Sequence, residues 1–419
     1  MRILHSSDWH LGLSHGSTSM EPDQRRFLDW LLDHMAKAAI DVLIVAGDIF
    51  DQYQPPAEAQ ALLYRFLARV RAAGVAQVIL VGGNHDSGAR LNAPAPLLAD
   101  LNITVIGALP ADDRSACVVP LRGRSGAVEA VALAVPYVHE HLLGVRTTEG
   151  EPIEVRDRFL AAFQALYGRL IDEAQARFPS LPIVATGHLT LAGSRRADYP
   201  REIHQVGTID ALPEGLVDPR IQYLALGHIH RSFPLAEGRA WYSGSPLPCA
   251  VNEHPSTRQV LEVTLDPNPA GRAAVRPIKV PAARAFLSLE GDAPALLRQI
   301  RGLTWTEPLP PLLFLRVILD PGTTDLAQRL HEALAAHPPE RRPAIADWQA
   351  VIGEEAPTVG APPLPPSLRD MAPIDVFAAL CEARKTPLTD ALRLAFGELD
   401  APDEADWSRH LDALRQSLP

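Results

Sequence analysis

Short apolar runs alternate in the first half of the chain with stretches whose apolar positions recur every three or four residues. "RILHS" (Arg2–Ser6) predicts a strand. "PDQRRFLDWLLDHMAKA" predicts a helix, with Phe27, Leu28, Leu31, Leu32 and Met35 on one face and Pro22 near its start. "DVLIVAG" (Asp41–Gly47) is apolar throughout, as a strand buried on both faces must be. A second helix covers "AEAQALLYRFLARVRAAG" and ends at Gly74, and "AQVILVGG" forms a third strand. Strand, helix, strand, helix, strand implies a βαβ series around a buried sheet. Further strands are expected at Val131–Val135, Ile183–Thr186, Tyr223–Leu226 and Val260–Leu265, and a long helix at Asp157–Arg177.

Proline and glycine rise around Pro267–Gly271, which suggests a boundary. "RAFLSLE", "DAPALLRQIRG", "PPLLFLRVILD", "TDLAQRLHEALAAH" and "AIADWQAVIG" then read as strand, helix, strand, helix, strand, enough for a small α+β domain. "EEAPTVGAPPLPPSLRDMAP" reads as an extended, proline-rich linker. The last segment holds two amphipathic patterns, "PIDVFAALCEARK" and "TDALRLAFGELDA". An isolated helical pair buries its apolar faces poorly, so it is expected to dock on a partner or on its own small domain. The expected organisation is an α/β domain over residues 1–275, a small domain over 280–352, a linker over 353–370 and a helical pair over 371–419.

Composition narrows the class. A chain of 419 residues exceeds one ordinary core. With 47% hydrophobic and 21% charged residues it is expected to be soluble and globular, and no apolar run reaches the ~18–20 residues of a membrane span. The N-terminus shows no basic stretch leading into an apolar one, so no secretory signal is expected. Cys117, Cys249 and Cys381 lie far apart and fit neither a disulfide framework nor a zinc spacing, which points to a reducing cytoplasm. The net charge of −11 argues against a surface that grips nucleic acid everywhere, though not against a local basic strip or a partner that supplies one. The cations are nearly all arginine, with lysine only at positions 37, 279 and 385. With the abundant alanine and proline, that resembles genome base composition more than a DNA-binding signature.

Each predicted strand of the first half ends in residues that ligate metals. The first is followed by Asp8 and His10 in "HSSDWHLG", the second by Asp48 in "GDIFD", and the third by Asn84 and His85 in "GNHDS". Later strands run into His188 in "TGHLT" and into His228 and His230 in "LGHIH". Taken singly, each has a plainer reading as a polar turn or a core histidine. Together they lie at the carboxyl ends of strands, the edge where α/β sheets bind ligands. Carboxylate and amide oxygens with imidazoles suit divalent cations, and a pair of cations needs about seven such ligands. No cysteine falls in this set, so a structural zinc site is not expected.

In this order, "D-x-H", "GDIFD", "GNHDS", "GH" and "GHIH" resemble the calcineurin-like metallophosphoesterase family. Within it, "MRILHSSDWHLG", "VAGDIFDQYQPP", "ATGHLT", "ALGHIHR" and "YSGSPLP" resemble the bacterial SbcD nucleases, strongly over residues 1–265 and beyond that in organisation only. The resemblance implies a β-sandwich flanked by helices, with a capping domain and C-terminal helices. It implies one cation held by Asp8, His10, Asp48 and His230 and another held by Asp48, Asn84, His188 and His228, with manganese favoured. His85 would face the scissile phosphate as general acid or transition-state donor, and Asp86 would orient it. Archaeal and eukaryotic relatives often carry histidine where this chain has Asp51, which is given no catalytic role. His5 is expected in the core and His15 in a loop; His139, His141 and His204 are left as surface or loop residues. Arg195, Arg196, Arg201 and Arg231 suit phosphate contact or plain surface charge equally.

The activity so implied is ATP-gated 3'–5' exonuclease action on duplex DNA and endonuclease action on hairpins or single strands, in repair, recombination and replication. The implied partner is an SbcC-type ATPase, two copies of each chain together, with the helices around Ile374–Leu399 on the base of its coiled coil and dimerisation of the nuclease chain. The alternatives are a phosphodiesterase acting on nucleotides or small phosphodiesters, and a scaffold protein without catalysis. Fold alone does not choose among them. The extra material after residue 280 disfavours the first, and the complete ligand set disfavours the second.

Overall fold

The structure, a computed structural model, describes residues 1–145, 152–191, 217–250, 253, 257–319 and 325–352, and beyond them positions 377, 381, 389 and 392. Residues Met1–Gly353 make one compact unit and Glu354–Pro419 a second. The linker and most of the C-terminal helical pair expected from sequence, with His204, Arg195, Arg196 and Arg201, lie outside the described residues.

The first unit opens with β1 (Arg2–Ser6), a minimal hairpin of β2 (Ser14–His15) and β3 (Thr18–Ser19), helix α1 (Glu21–Lys37) and β4 (Val42–Ala46). Helix α2 (Ala57–Val70), β5 (Gln77–Val81), the short helices α3 (Gly88–Asn92) and α4 (Ala95–Ala99) and β6 (Ile103–Ile106) follow. Next come β7 (Val118–Arg122), β8 (Val128–Leu133), α5 (Pro152–Arg177), β9 (Ile183–His188) and β10 (Ile221–Gly227). The short β11 (Phe233–Leu235) and β12 (Ala240–Tyr242) lead to the hairpin β13 (Gln259–Thr264) and β14 (Ala274–Lys279).

Two six-stranded sheets result, in the orders β14-β13-β1-β4-β5-β6 and β11-β12-β10-β9-β8-β7. Strands β1, β4, β5 and β6 are mutually parallel, and β13 returns antiparallel to β1. Side-chain alternation explains the layering. Ile3, Ile44, Ile79 and Val81 share a core with Val131, Val184, Ala225 and Tyr223 of the second sheet and with Phe159, Phe163 and Leu166 of α5. Their neighbours Leu4, Leu43, Val45 and Leu80 turn the other way, onto Phe27, Leu31 and Met35 of α1 and Leu63, Phe66 and Leu67 of α2. His5 follows the same alternation: it points to the second sheet and shares a 2.8 Å hydrogen bond with the Tyr223 hydroxyl. The Pro- and Gly-rich stretch Pro267–Gly271 turns β13 into β14, so the first sheet runs on to Lys279.

The small sheet is parallel, ordered β15 (Phe286–Asp292), β16 (Leu312–Leu319), β17 (Ala344–Ile352), with α6 (Ala293–Arg301) and α7 (Leu326–Ala335) as crossovers. Leu313, Leu315 and Val317 face these helices, while Leu312, Phe314 and Ala346 pack on Met20. His15 is a strand residue here, buried against the rings of Phe286 and Phe314. Buried Arg284 grips Asp23 of α1 through two guanidinium nitrogens.

Candidate metal centre

The chain segments leaving β1 and β4 run on side by side: Asp8 N–H donates to Gly47 O (3.0 Å), His10 N–H to Asp48 O (3.1 Å) and Leu11 N–H to Ile49 O (2.9 Å). Side chains still alternate, so Trp9 enters the core against Phe27 and Phe66 while Asp8 and His10 face the site. Asp8, His10, Asp48 and His228 all take positive φ, four of the nine non-glycine residues that do so among those described. Such backbone costs about 1–3 kcal/mol per residue and persists where the surroundings over-determine it. Two glycines are required by crowding: a Cβ on Gly47 or Gly83 would collide with His188 or with the Asp48 carboxylate.

The expected ligands Asp8, His10, Asp48, Asn84, His188, His228 and His230 come together. Asp48 is the hub. Its Oδ1 accepts from His85 N–H at 2.9 Å, while its Oδ2 stands between two imidazoles, 3.3 Å from His188 Nε2 and 3.7 Å from His10 Nε2. On one side, His10 Nε2 and His230 Nε2 face each other at 3.1 Å. On the other, Asn84 Oδ1 lies 2.9 Å from His188 Nε2 and 3.0 Å from His228 Nδ1. Asp8 stays in register through its Oδ1, which accepts from His228 N–H at 2.9 Å, and through Ser7. Carboxylate, amide and imidazole donors thus converge in two groups that share one oxygen, a donor set that fits two divalent cations.

The electrostatics fit as well. Burial pushes the Asp48 carboxyl up, but His188, His10 and His85 outweigh it and hold the group well below the usual range. Burial pushes His188 down, yet Asp48 and Asp8 raise it to about 9. Burial likewise opposes charge on His10, but Cys249, Asp51 and Asp48 overcome it and raise the group to about 10. A pocket that draws protons onto its imidazoles favours positive charge, and a cation competes for the same nitrogens.

His85 sits beside His10, with ring centroids 4.9 Å apart, and its Nδ1 bonds the Asp51 carbonyl at 2.8 Å. Asp86, expected to orient His85, bonds backbone on both loops. Its carboxylate accepts from the N–H groups of Gly83 (2.8 Å), Ile49 (3.0 Å) and Phe50 (2.9 Å), so it pins the loop after β5 to the loop after β4. Burial, then the nearby Asp48 charge, raises this carboxyl to about 6. The Asp51 carbonyl meets the His85 ring at Nδ1. Asp51 also brings a carboxylate oxygen 3.2 Å from His10 Nδ1, which has no well-directed hydrogen bond.

Sequence reasoning missed several neighbours. Buried Glu253 bonds His230 Nδ1 at 2.8 Å, a carboxylate–histidine pairing that fixes the ring. Cys249 offers a sulfur beside His10 and His230. Tyr137 meets the His188 ring edge-on, and exposed His139 meets Tyr137, so "VPYVHEH" borders the site. Arg231 is exposed. Neither Glu253 nor Cys249 stands at a strand end or in a ligand spacing, so no local signal marks them.

The sequence pattern of the calcineurin-like phosphoesterases matches residues 1–232. The chain is 35% identical over 351 residues to the SbcD component of the nuclease SbcCD from Rhodobacter capsulatus, covering 81% of this chain and 85% of that one. Identity to the corresponding SbcD component from Escherichia coli (strain K12) is 34% over 346 residues, covering 81% and 84%. The protein of that name in Bacillus subtilis (strain 168) is 32% identical over 272 residues, covering 64% and 67%.

Proposed function

Because this chain belongs to the calcineurin-like phosphoesterase family, we propose that it is the nuclease component of an SbcCD-type complex and hydrolyses DNA phosphodiester bonds at the strand-end cluster. It is a metal-dependent hydrolase of divalent-cation chemistry. The observation that carries this reading is the position of Asp48 Oδ2 between the His10 and His188 imidazoles, since one shared oxygen joins two ligand groups.

Asp8, His10, Asp48 and His230 would hold one cation, and Asp48, Asn84, His188 and His228 the other. We take manganese as the physiological choice, as the family resemblance favours it; mixed imidazole, carboxylate and amide ligation admits it as well as zinc or iron. When bound, the cations would screen the phosphate charge and acidify an attacking water. The remaining work falls to the chain. Asp48 Oδ1 holds the His85 backbone, and the Asp51 carbonyl holds the His85 ring. With Nδ1–H committed to that carbonyl, Nε2 is the atom from which a proton would pass to the leaving oxygen.

The finer reading is ATP-gated 3'–5' exonuclease action on duplex DNA and endonuclease action on hairpins, serving repair, recombination and replication. The partner is an SbcC-type ATPase, two copies of each chain together, docked through the helices of residues 371–419. Residues 280–352 would cap the nuclease domain over the DNA. No described helix is long and apolar enough to cross a membrane, and we place the protein in the cytoplasm.

The test is a manganese-dependent assay on hairpin DNA beside a chromogenic phosphodiester, with and without the ATPase and ATP, together with metal analysis. Cleavage of both substrates, ATP-dependent for the hairpin once the ATPase is present, is expected. Turnover of the small substrate alone would favour a nucleotide phosphodiesterase. No turnover on either, with two ions bound, would leave a scaffold protein.

A further inference from the structure

Cys249 is buried, and its sulfur belongs to no disulfide. It is not alone. His10, His230 and Cys249 each present a ligand atom, and these atoms lie within 4.8 Å of one another. The same two histidines bring their Nε2 atoms face to face at 3.1 Å, a separation that calls for a shared proton or a cation between them. Glu253 fixes the thiol and the imidazole together. One of its oxygens bonds His230 Nδ1 at 2.8 Å, and the other accepts from Cys249 N–H at 2.9 Å. Arg258 holds the same carboxylate. The Ser245 hydroxyl lies 3.1 Å from the sulfur; its one proton serves the Asp8 and Leu247 carbonyls, so its oxygen accepts from the thiol until a metal displaces that proton.

We propose that Cys249 is a further ligand of the cation held by His10 and His230, and that it binds as a thiolate. This rests on the metal-centre reading above and deepens it. On binding, the thiol proton leaves to solvent and a sulfur–metal bond forms. No oxidant or reductant is involved. The consequence is an uneven pair of positions. The site on the His188 side, with Asn84 and imidazoles, stays hard to intermediate. The site on the His10 side gains one soft donor, which shifts its preference from manganese toward zinc, iron or cobalt. The competing explanation is a buried thiol that merely fills space, as free cysteines often do.

The experiment titrates metal-free, full-length protein with cobalt(II) and records absorption. The expected result is a near-ultraviolet sulfur-to-cobalt charge-transfer band that saturates at one ion per chain, beside the visible ligand-field bands. Cys249→Ser and Cys249→Ala should each lose the charge-transfer band and keep the visible ones. Their zinc affinity relative to manganese should fall at least about tenfold, the scale on which even outer contacts of a metal site act. Visible bands without charge transfer in the unaltered protein would overturn the inference and leave the metal centre standing; that comparison needs no variant to fold. Charge transfer that survives in both variants would trace to another cysteine and overturn it too. No cobalt bands at all would overturn the metal centre and this inference together.

Discussion

At the residue scale, histidines of one chain are put to opposite uses by their surroundings. His5 and His10 stand close together in the sequence, both buried. His10 meets Cys249, Asp51 and Asp48, which overcome burial and raise it to about 10, whereas His5 meets a neutral tyrosine and burial lowers it to about 3. The sign of the resulting pH dependence is fixed. Below the ordinary histidine pKa of about 6.5 the unfolded chain takes a proton at His5 that the fold refuses, so the stability His5 contributes falls as pH drops toward 3. The loss approaches about 1.4 kcal/mol per pH unit, or about 2 kcal/mol by pH 5. His10, His188 and Asp86, whose pKa values are raised, gain stability over the same range, so the His5 share is read as the change between pH 7 and pH 5 in the denaturant-midpoint difference between the protein and His5→Asn. His85 marks the other extreme, a histidine at the rim held by backbone. His85→Gln should keep both metals by elemental analysis while cleavage drops about 10²–10⁴-fold, the usual worth of a proton donor. Normal turnover in that variant would remove His85 from the chemistry.

At the element scale, the strands of the two six-stranded sheets legible in sequence are the central ones. β1, β4, β5, β9 and β10 read as apolar runs because both of their faces are covered. The marginal strands of these two large sheets did not read as strands, whereas β15 and β17 did although they edge the small sheet. β7 carries Pro120, β11 carries Pro234 and β14 carries Pro277, and all three lie at a sheet edge, where a residue without an N–H costs no ladder hydrogen bond. The same proline that blocks the strand reading suits the edge position. The join between α1 and the segment before β15 rests on the buried pair of Asp23 and Arg284. Asp23→Ala should cost about 3–5 kcal/mol, because it leaves a guanidinium buried without its partner. Replacing both residues by leucine and methionine should recover most of that loss in urea unfolding. A single-variant cost below about 1 kcal/mol would mean that the pair is not buried in solution.

At the scale of the whole molecule, function is expected to divide along the chain. The cluster is built from residues 8–230 and supported by Glu253, all within the first compact unit. Cutting the chain before Met371 should therefore leave manganese-dependent cleavage of a chromogenic phosphodiester within about twofold, since no ligand is removed. The same cut should abolish co-purification with the ATPase. Retained co-purification would move the docking surface into the first unit. The net charge of −11 belongs to this scale as well: it argues against a surface that is basic all over, so grip on DNA is expected from a local basic strip or from the partner.

What the sequence determined by itself is local: which runs are buried strands, and that Asp8, His10, Asp48, Asn84, His85, His188, His228 and His230 follow such strands. Strand period and turn chemistry act over a few residues, so they survive in a linear string. Tertiary structure alone decided the rest. His10 and His230 are 220 positions apart, and their 3.1 Å approach depends on how two sheets pack. The pairing of β4 with β5 gave Asp86 to the backbone and His85 to the Asp51 carbonyl, while the tertiary fold gave Glu253 to His230 Nδ1 and set the Cys249 sulfur beside His10 and His230. Those contacts have no sequence period because the distances that create them run through the core and not along the chain.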